Sequence, residues 1–230
     1  MRRQPTLDRM AQRVNDLCSR FSYYINKFDS ANLFTGPSLY FHFRTLDRLR
    51  RCGALATALE DNLFFEYLYA TLTAWGLHRM GPMPAKLVDF ETFRSSLRNQ
   101  KSEIEGLEDC RLTRLSEGDL DVVVDSLWQI LVTLRISKAE TKLVANSKAL
   151  HHLLPQLMPP IDRQYTLRFF YGHKTISGRD EQIFREIYRQ FHRIRSRSEV
   201  AIPKYLGHGF HTSETKVIDN AIVGYVLTRL

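Results

Sequence analysis

The chain has 230 residues, of which 43% are hydrophobic and 25% charged, a composition that is ordinary for a folded protein and unlike that of a disordered one. Lys and Arg total 33 against 25 Asp and Glu, so the net charge is +8 and the pI is about 9.5. No apolar run approaches the roughly 18 residues of a membrane helix, and the basic N-terminus lacks the apolar segment of a secretory signal. The composition excludes a membrane span and favours a polyanionic partner.

Three cysteines, Cys18, Cys52 and Cys110, lie far apart in the sequence and are odd in number. No Cys-x-x-Cys pair occurs, so neither a zinc knuckle nor a disulfide framework is indicated. A reducing compartment is the simplest setting for such a chain. We therefore expect a cytoplasmic protein that uses no metal and no cofactor.

The positive charge is concentrated towards both ends of the chain. Residues 1–55 carry ten Lys or Arg against four Asp or Glu, and residues 160–205 carry ten against five. Residues 81–145 carry nine against eleven, so the centre is slightly acidic.

The chain opens with a helical pattern. In TLDRMAQRVNDLCSRFSYYINKF, spacings of three and four residues place an apolar stripe on one face, formed by Leu7, Met10, Val14, Leu17, Phe21 and Tyr24. Thr6 is the predicted N-cap. The next segment, GPSLYFHFRTLDRLRRCG, predicts a short helix that closes at Gly53.

An apolar, aromatic-rich segment follows, ALATALEDNLFFEYLYATLTAWGL. It has no continuous polar face, so we expect one long central helix, with Ala56–Trp75 among the most buried parts of the protein. Glycines between residues 76 and 81 end it. The PMPAK stretch that follows is the best candidate for a lobe boundary, near residues 81–87.

Two helices with clear start signals come next. Asp89 is the predicted N-cap of VDFETFRSSLRNQKSEIEGL, and Ser116 is that of SEGDLDVVVDSLWQILVTLRI. In the second helix, Asp119, Asp121 and Asp125 allow two interpretations. They form an oxygen-rich metal cluster, or the first two complement the helix dipole while the third lies on a solvated face.

Histidines occur in two suggestive patterns. His208 and His211 in GHGFH have a spacing that suits a metal, or they belong to a glycine-flanked surface loop. His151 and His152 lie in SKALHHLLP, a predicted helix stopped by Pro155. Adjacent helical residues point to different sides, so we expect one of these two imidazoles to be packed and the other exposed.

The remaining segments are helical as well. PIDRQYTLRFFYG predicts a helix with Asp162 near its start, and HTSETKVIDNAIVGYVLTRL predicts one capped by Thr212 or Ser213. Between them, GRDEQIFREIYRQFHRIRSR is strongly amphipathic, with an inward face of Ile183, Phe184, Ile187, Tyr188, Phe191 and Ile194. No strand-like alternation persists anywhere. The sequence therefore predicts an all-α fold, with residues 1–230 forming one globular helical domain or two lobes.

Arginines recur at every fourth position of the amphipathic helix, at Arg185, Arg189, Arg193 and Arg197. This spacing places them along one slowly drifting ridge. A similar row, Arg9, Arg13 and Arg20, occurs near the N-terminus. Guanidinium groups grip phosphate oxygens in a bidentate manner, so the ridge is a candidate nucleic-acid surface. The alternative is a solvated face that pairs with Glu186 and Glu199.

Residues 142–165, KLVANSKALHHLLPQLMPPIDRQY, resemble in layout the core of the helix-hairpin-helix DNA glycosylases. The segment is also similar to uncharacterised bacterial proteins with a K-x-L-H-x-L-x-P…D pattern. The glycosylases have a hairpin, a helix, and a proline-containing loop ending in an aspartate. On that layout Lys148 matches the hairpin lysine, Asp162 the aspartate, and Asn146 the second hairpin glycine, whose left-handed conformation Asn tolerates. Val144 stands where the first glycine belongs.

The resemblance implies a helix-hairpin-helix-like fold and a role on DNA. In an active member, Lys148 would attack the sugar C1′ or orient the backbone, and Asp162 would stabilise the developing cation or activate the nucleophile. The target base would be flipped out of the stack. Asn146 and the arginine ridge would contact DNA. The alternative for Asp162 is that it serves only as the N-cap of the helix that begins after it.

The sequence thus favours a DNA-binding helical protein, an active or inactive divergent relative of the glycosylases. A helical module that binds another protein, without enzyme activity, is the alternative.

Overall fold

A computed structural model describes residues 4–77, 86–175 and 180–230. Over these residues the chain forms 12 α-helices, and its β structure is an isolated bridge between Leu87 and Ser137. The all-α prediction is confirmed. In chain order the helices are α1 Gln4–Ser19, α2 Phe21–Ala31, α3 Pro37–Cys52, α4 Leu55–Ala58, α5 Asn62–Leu72, α6 Phe90–Arg98, α7 Lys101–Glu105, α8 Glu117–Thr133, α9 Leu143–Leu153, α10 Arg168–Tyr171, α11 Asp180–Arg197 and α12 Glu214–Arg229.

Shorter helical turns complete the described secondary structure. Two are 3₁₀ turns, Leu112–Arg114 and Ile202–Lys204, and two are π-helical, Thr73–Leu77 and Arg163–Leu167. The second π-helical turn runs directly into α10.

The chain divides into two compact units. The first unit comprises Met1–Leu33, Arg111–Leu115 and Pro155–Leu230, and the second comprises Phe34–Cys110 and Ser116–Leu154. The PMPAK stretch predicts a lobe boundary near residues 81–87. Of these, residues 81–85 lie outside the described ranges, and Lys86 and Leu87 belong to the second unit.

The core of the first unit is built around α12. Every residue from Thr215 to Val226 is buried, and the helix packs against α1, α2, α10 and α11. A Cβ added to Gly224 would lie 1.9 Å from the carbonyl oxygen of Tyr24, so the backbones of α12 and α2 are in direct contact there. Only glycine permits so close an approach of two helices.

The apolar stripe predicted for the N-terminal segment lies on two helices. The first helix ends at Ser19, Arg20 has a non-helical backbone, and α2 begins at Phe21. Met10, Val14 and Leu17 are buried as predicted, whereas Leu7 is 46% exposed. The prediction of Thr6 as N-cap is wrong, because α1 already begins at Gln4.

The second unit contains α3 to α9, and at its centre two helices, α4 and α5, replace the single predicted one. The long helix predicted through Ala56–Trp75 is interrupted, because Asp61 adopts an extended backbone and caps a new helix, α5. Phe64, Phe65 and Leu68 of that helix are 0% exposed, but Leu63 is 37% exposed and Glu66 is also exposed. The burial predicted for the whole of Ala56–Trp75 therefore holds for one face of α5 only, and that part of the prediction is wrong as well.

Most of the predicted helix ends are confirmed. Asp89, Ser116 and Ser213 accept hydrogen bonds from backbone N–H groups at the starts of α6, α8 and α12. Gly53 closes α3 with a positive φ of 77°, a conformation that side chains with a Cβ rarely adopt.

Candidate nucleic-acid interface

The outer face of α11 carries three exposed arginines, Arg189, Arg193 and Arg197. The inner face of the same helix is apolar, with Phe184, Ile187, Tyr188, Phe191 and Ile194 buried and Ile183 half-buried. Burial of that face fixes the rotation of the helix, and the four-residue spacing then directs the three guanidinium groups outward.

The hydrogen-bond partners of Arg193 and Arg197 within the described part of the chain are amides. Arg193 Nη1 lies 3.5 Å from Gln190 Oε1, and Arg197 Nη1 donates to Asn15 Oδ1 on α1. Both acceptors are neutral oxygens. These acceptors therefore do not offset the positive charge that the two guanidinium groups place at the surface of the first unit.

Arg185, the first member of the predicted ridge, differs from Arg193 and Arg197. Its Nε and Nη2 both donate to Oε1 of Glu181, at 2.9 and 2.7 Å, which makes an ion pair within α11. The side chain is also only 24% exposed. Arg185 is therefore a weaker candidate for phosphate than the sequence suggested.

The predicted second row of arginines is divided in the same way. Arg13 is half-buried, and its Nη1 donates to the carbonyl oxygens of Arg168 and Phe169, so it satisfies backbone groups of α10. Arg9 and Arg20 are exposed, and the Arg20 guanidinium lies 4.5 Å from the ring centre of Tyr23.

The second unit presents a mixed aromatic and basic face on α3, a surface that is not among the sites predicted from sequence. An open groove of about 420 Å³ is lined by Tyr40, Phe43, Arg44, Asp47 and Arg50. Tyr40 is 52% exposed and Phe43 36%. The guanidinium of Arg44 lies 5.1 Å from the ring centre of Tyr40, a cation–π contact.

Charged groups around this groove are partly paired. Asp47 contacts Arg51 at 2.9 Å and Arg50 at 3.6 Å, and both arginines are largely exposed. Together with Arg44, three guanidinium groups face one carboxylate. The α3 face therefore carries a surplus of positive charge beside exposed aromatic rings.

The resemblance places Asn146 on a hairpin turn as a nucleic-acid contact, but the residue lies on no such turn. It lies within α9, is 0% exposed, and has no positive φ. Its Nδ2 donates to the carbonyl oxygens of Leu131 and Leu134, at 2.7 and 3.0 Å. Asn146 thus satisfies carbonyls at the end of α8, where no helical N–H is left to do so.

Lys148 also lies inside α9, so the hairpin predicted around it is replaced by continuous helix. It is half-buried in the second unit, and its Nζ lies 5.6 Å from the ring centre of Trp75. Three histidines near it are 0% exposed: His42, His151 and His152. The expectation that one of the adjacent pair would be exposed is therefore wrong.

Two of these histidines, His42 and His152, are linked by a hydrogen bond, whose direction follows if both rings are neutral. Nδ1 of His152 lies 2.8 Å from the carbonyl oxygen of Lys148, so it must donate. Its Nε2 then accepts from Nδ1 of His42, 2.9 Å away, and the ring of His42 stacks on Trp75. These contacts join α3 to α9 across the core of the second unit.

Asp162 lies in the first unit and acts as a helix N-cap, as the capping interpretation predicts. Its Oδ1 accepts from the backbone N–H of Tyr165 at 2.7 Å and of Thr166 at 3.4 Å. Its own N–H donates to the hydroxyl of Thr166. The carboxylate is half-buried, and burial together with the charge of Asp162 raises the pKa of Tyr165.

The metal interpretations of the acidic and histidine patterns find no support in the described part of the chain. No group of three or more His, Cys, Asp or Glu there could hold a metal ion. Asp119 accepts a hydrogen bond from the hydroxyl of Ser116 at the start of α8, as the dipole interpretation implies. His211 is buried, and its ring nitrogens contact Asp29 and Asn220, whereas His208 is exposed.

No family model, curated protein or solved structure matches this chain. None of the described helices has the length and apolar character to cross a membrane.

The residue spacing within α3 contains a signal from which this face could be predicted. In YFHFRTLDRLRR, the buried positions His42, Thr45 and Leu46 define the inner side of the helix. The remaining spacing places Tyr40, Phe43, Arg44 and Asp47 together on the outer side. Aromatic and basic residues that recur on the outer face of one helix indicate a candidate binding surface.

Proposed function

We propose that the protein binds nucleic acid through the arginine face of α11, defined as Arg189, Arg193 and Arg197. One observation carries the proposal: three exposed guanidinium groups recur on successive turns of one helix, and those of Arg193 and Arg197 bond neutral amide oxygens. The alternative, a face whose arginines pair with carboxylates, describes Arg185, which pairs with Glu181.

The spacing of these groups suits a phosphate backbone. Four residues of α-helix rise about 6 Å, so the three arginines extend over about 12 Å. Each strand of a DNA duplex presents a negative charge about every 3.4 Å of helix axis, so about four phosphates lie within that length. Contacts of this kind are independent of base sequence and release counterions.

The test is a titration of a short DNA duplex, followed by fluorescence anisotropy, between about 50 mM and about 200 mM salt. We expect affinity to fall steeply with salt. In the triple variant Arg189→Gln, Arg193→Gln, Arg197→Gln, the slope of log K against log salt should flatten by roughly 0.9 for each phosphate that is no longer neutralised. Affinity should fall on every duplex sequence alike.

The matched control removes the same charge elsewhere, by Lys86→Gln, Lys138→Gln, Lys204→Gln, which are all exposed. The control variant should keep the slope of the parent. Equal slopes in all three proteins would contradict the proposal and leave a helical module whose partner is another protein. Base removal by Lys148 and Asp162 is a separate step, tested by the Asp162 variant below.

A further inference from the structure

The groove on α3 combines two properties that suit a nucleotide. It is lined by two exposed aromatic rings, Tyr40 and Phe43, and by the guanidinium groups of Arg44 and Arg50. Its volume of about 420 Å³ falls in the range of small-ligand sites. Large apolar rings on a surface helix are costly to leave in water, so a covering ligand gains their burial.

A nucleobase matches the rings. Bases stack on aromatic side chains in a sequence-tolerant way, because every base has a π-face. A base inside a duplex already stacks on its neighbours, so its faces are not available to a side chain. The rings therefore select bases that are unpaired.

The charges around the groove match the phosphates that accompany such a base. Arg44, Arg50 and Arg51 supply three guanidinium groups against the single carboxylate of Asp47. Arg50 is 78% exposed and Arg51 67%, so both can turn from Asp47 towards a phosphate. A nucleic-acid strand offers a flat stacking face and a negative charge at every nucleotide, so it matches the rings and the arginines at once.

We infer that the α3 face, formed by Tyr40, Phe43, Arg44 and Arg50, binds unpaired nucleotides of a single-stranded nucleic acid, with bases stacked on the two rings and phosphates at the two arginines. This inference rests on the proposed function and deepens it, because it names the class of nucleic acid. The whole chain would then prefer a nucleic acid that contains an unpaired segment.

The experiment compares three DNA ligands of equal length: a single strand, the same strand with its bases removed at several adjacent positions, and the duplex. The parent protein should bind the intact single strand more tightly than the abasic one. The double variant Tyr40→Ala, Phe43→Ala should lose roughly 10- to 100-fold in affinity for the intact strand, the range expected when one or two bases no longer stack on a ring. Its affinity for the abasic strand and the duplex should not change.

Two further variants separate stacking from folding. Tyr40→Phe keeps the ring and should keep the affinity. Tyr40→Ala alone changes a side chain that is 52% exposed, so it should fold as the parent does, as circular dichroism would show, and should lose affinity for the intact strand only. Val122→Ala, an exposed apolar residue of α8 in the same unit, is the matched control and should bind every ligand as the parent does.

The results also separate this inference from the proposed function. If the ring variants bind the intact strand as the parent does, or lose the same factor on the abasic strand, the rings do not hold bases and the inference is wrong. The arginine variant of α11 can still lose duplex affinity in that case. If the parent chain binds none of the three ligands, both the inference and the proposed function fail.

Discussion

Nδ2 of Asn220 lies 3.0 Å from Nδ1 of His211, and this contact fixes the tautomer of the imidazole. An amide nitrogen can only donate, so Nδ1 accepts and Nε2 carries the proton, which it donates to Asp29 Oδ1 at 2.9 Å. A second proton on Nδ1 would place two donors face to face. Burial of the ring acts in the same direction and lowers the pKa of His211, while Asp29 opposes it.

The His211 network predicts a loss of stability in mild acid. Because the folded-state pKa of His211 lies below its ordinary value near 6.5, the unfolded chain binds more protons as the pH falls through that value. The free energy of unfolding should decline from about pH 6.5 downward, until the pH passes the folded-state pKa. Urea unfolding of the parent and of His211→Gln between about pH 8 and about pH 5 measures this, and the variant should show a flatter pH dependence.

His208→Gln is the control for that experiment, because His208 is exposed. It should reproduce the pH dependence of the parent. Identical slopes for the parent and His211→Gln would show that the proton uptake arises at another group.

We expect that adding one methyl group at Gly224 lowers the stability of the protein substantially. In Gly224→Ala the new Cβ would meet the backbone of Tyr24 at 1.9 Å, so α12 and α2 must move apart. Overpacking of this kind costs about 1–3 kcal/mol, and more when backbone must shift. Thermal unfolding followed by circular dichroism measures the change.

Gly118→Ala is the matched helical substitution. Its Cβ would lie 3.7 Å from Ser116 Oγ, an ordinary contact, and alanine favours helix over glycine by about 0.5–1 kcal/mol. This variant should be as stable as the parent or more so. A Gly224→Ala protein with an unchanged midpoint would mean that α12 and α2 are not packed backbone to backbone.

We expect the stability of the second unit to fall in acid because of the contacts of Asp61. It caps α5 through the N–H of Phe64 at 2.6 Å and receives two hydrogen bonds from Arg48, at 2.9 and 2.5 Å. The Arg48 bonds foremost, and then the Phe64 N–H, hold the pKa of Asp61 below its ordinary value near 3.8 against the opposing effect of burial. Its contribution to stability is therefore present above that value and is lost as the pH falls through the folded-state pKa.

Two substitutions separate the cap from the charge. Asp61→Asn keeps a capping oxygen, so at neutral pH it should lose only the Arg48 interaction, and it should flatten the acid dependence. Asp61→Ala should cost about 1 kcal/mol more, because the cap is removed as well. Asp109→Asn, an exposed carboxylate of the same unit, should change neither the stability nor its acid dependence. An unchanged acid dependence in Asp61→Asn would rule out Asp61 as its source.

Asp162 allows a test of the glycosylase-like expectation. Asp162→Asn should fold normally, because Asn caps a helix about as well as Asp, and removing the charge–dipole interaction costs only about 0.3–1 kcal/mol. A DNA duplex containing damaged bases is then assayed for base release and strand cleavage. If the parent chain is active, the Asn variant should be inactive, because it can neither take a proton nor balance a cation.

Lys148→Gln is the companion variant for that assay and should abolish a step that uses the amine. Full activity in Asp162→Asn would leave the carboxylate with the capping role alone. Activity in neither the parent nor the variants would leave nucleic-acid binding without chemistry.

The helix starts could be predicted from sequence because their cause is local. Asp89 and Ser116 each bond a backbone N–H three residues away, and that requirement is visible in the sequence. The cap at Asp61 is equally local, because Asp61 bonds the N–H of Phe64 three residues away. It is not predicted, because the surrounding segment is rich in apolar residues and is interpreted as one helix. A capping residue inside an apolar segment is therefore better evidence for a helix start than the apolar segment is for one continuous helix.

The roles of Asn146 and of α12 could not be predicted in this way. Asn146 is buried because two carbonyls at the end of α8 need a donor, a contact formed across 12 and 15 residues of chain. Helix α12 contains Lys216 and Asp219, which suggest an exposed face, yet they pair with each other at 2.5 Å inside the core. Polar residues that satisfy one another are compatible with burial, and sequence spacing alone does not reveal the pairing.

The central position of α12 in the first unit has a consequence for synthesis of the chain. The chain is synthesised from the N-terminus at about 5–20 residues per second, so α2 waits roughly 10–40 s for α12, the helix on which it mainly packs. All helices of the second unit are complete before α12 begins at Glu214. During that interval the apolar side of α2 is open to a chaperone. In the first unit, a helix that is made early is thus among the last to reach its packed position.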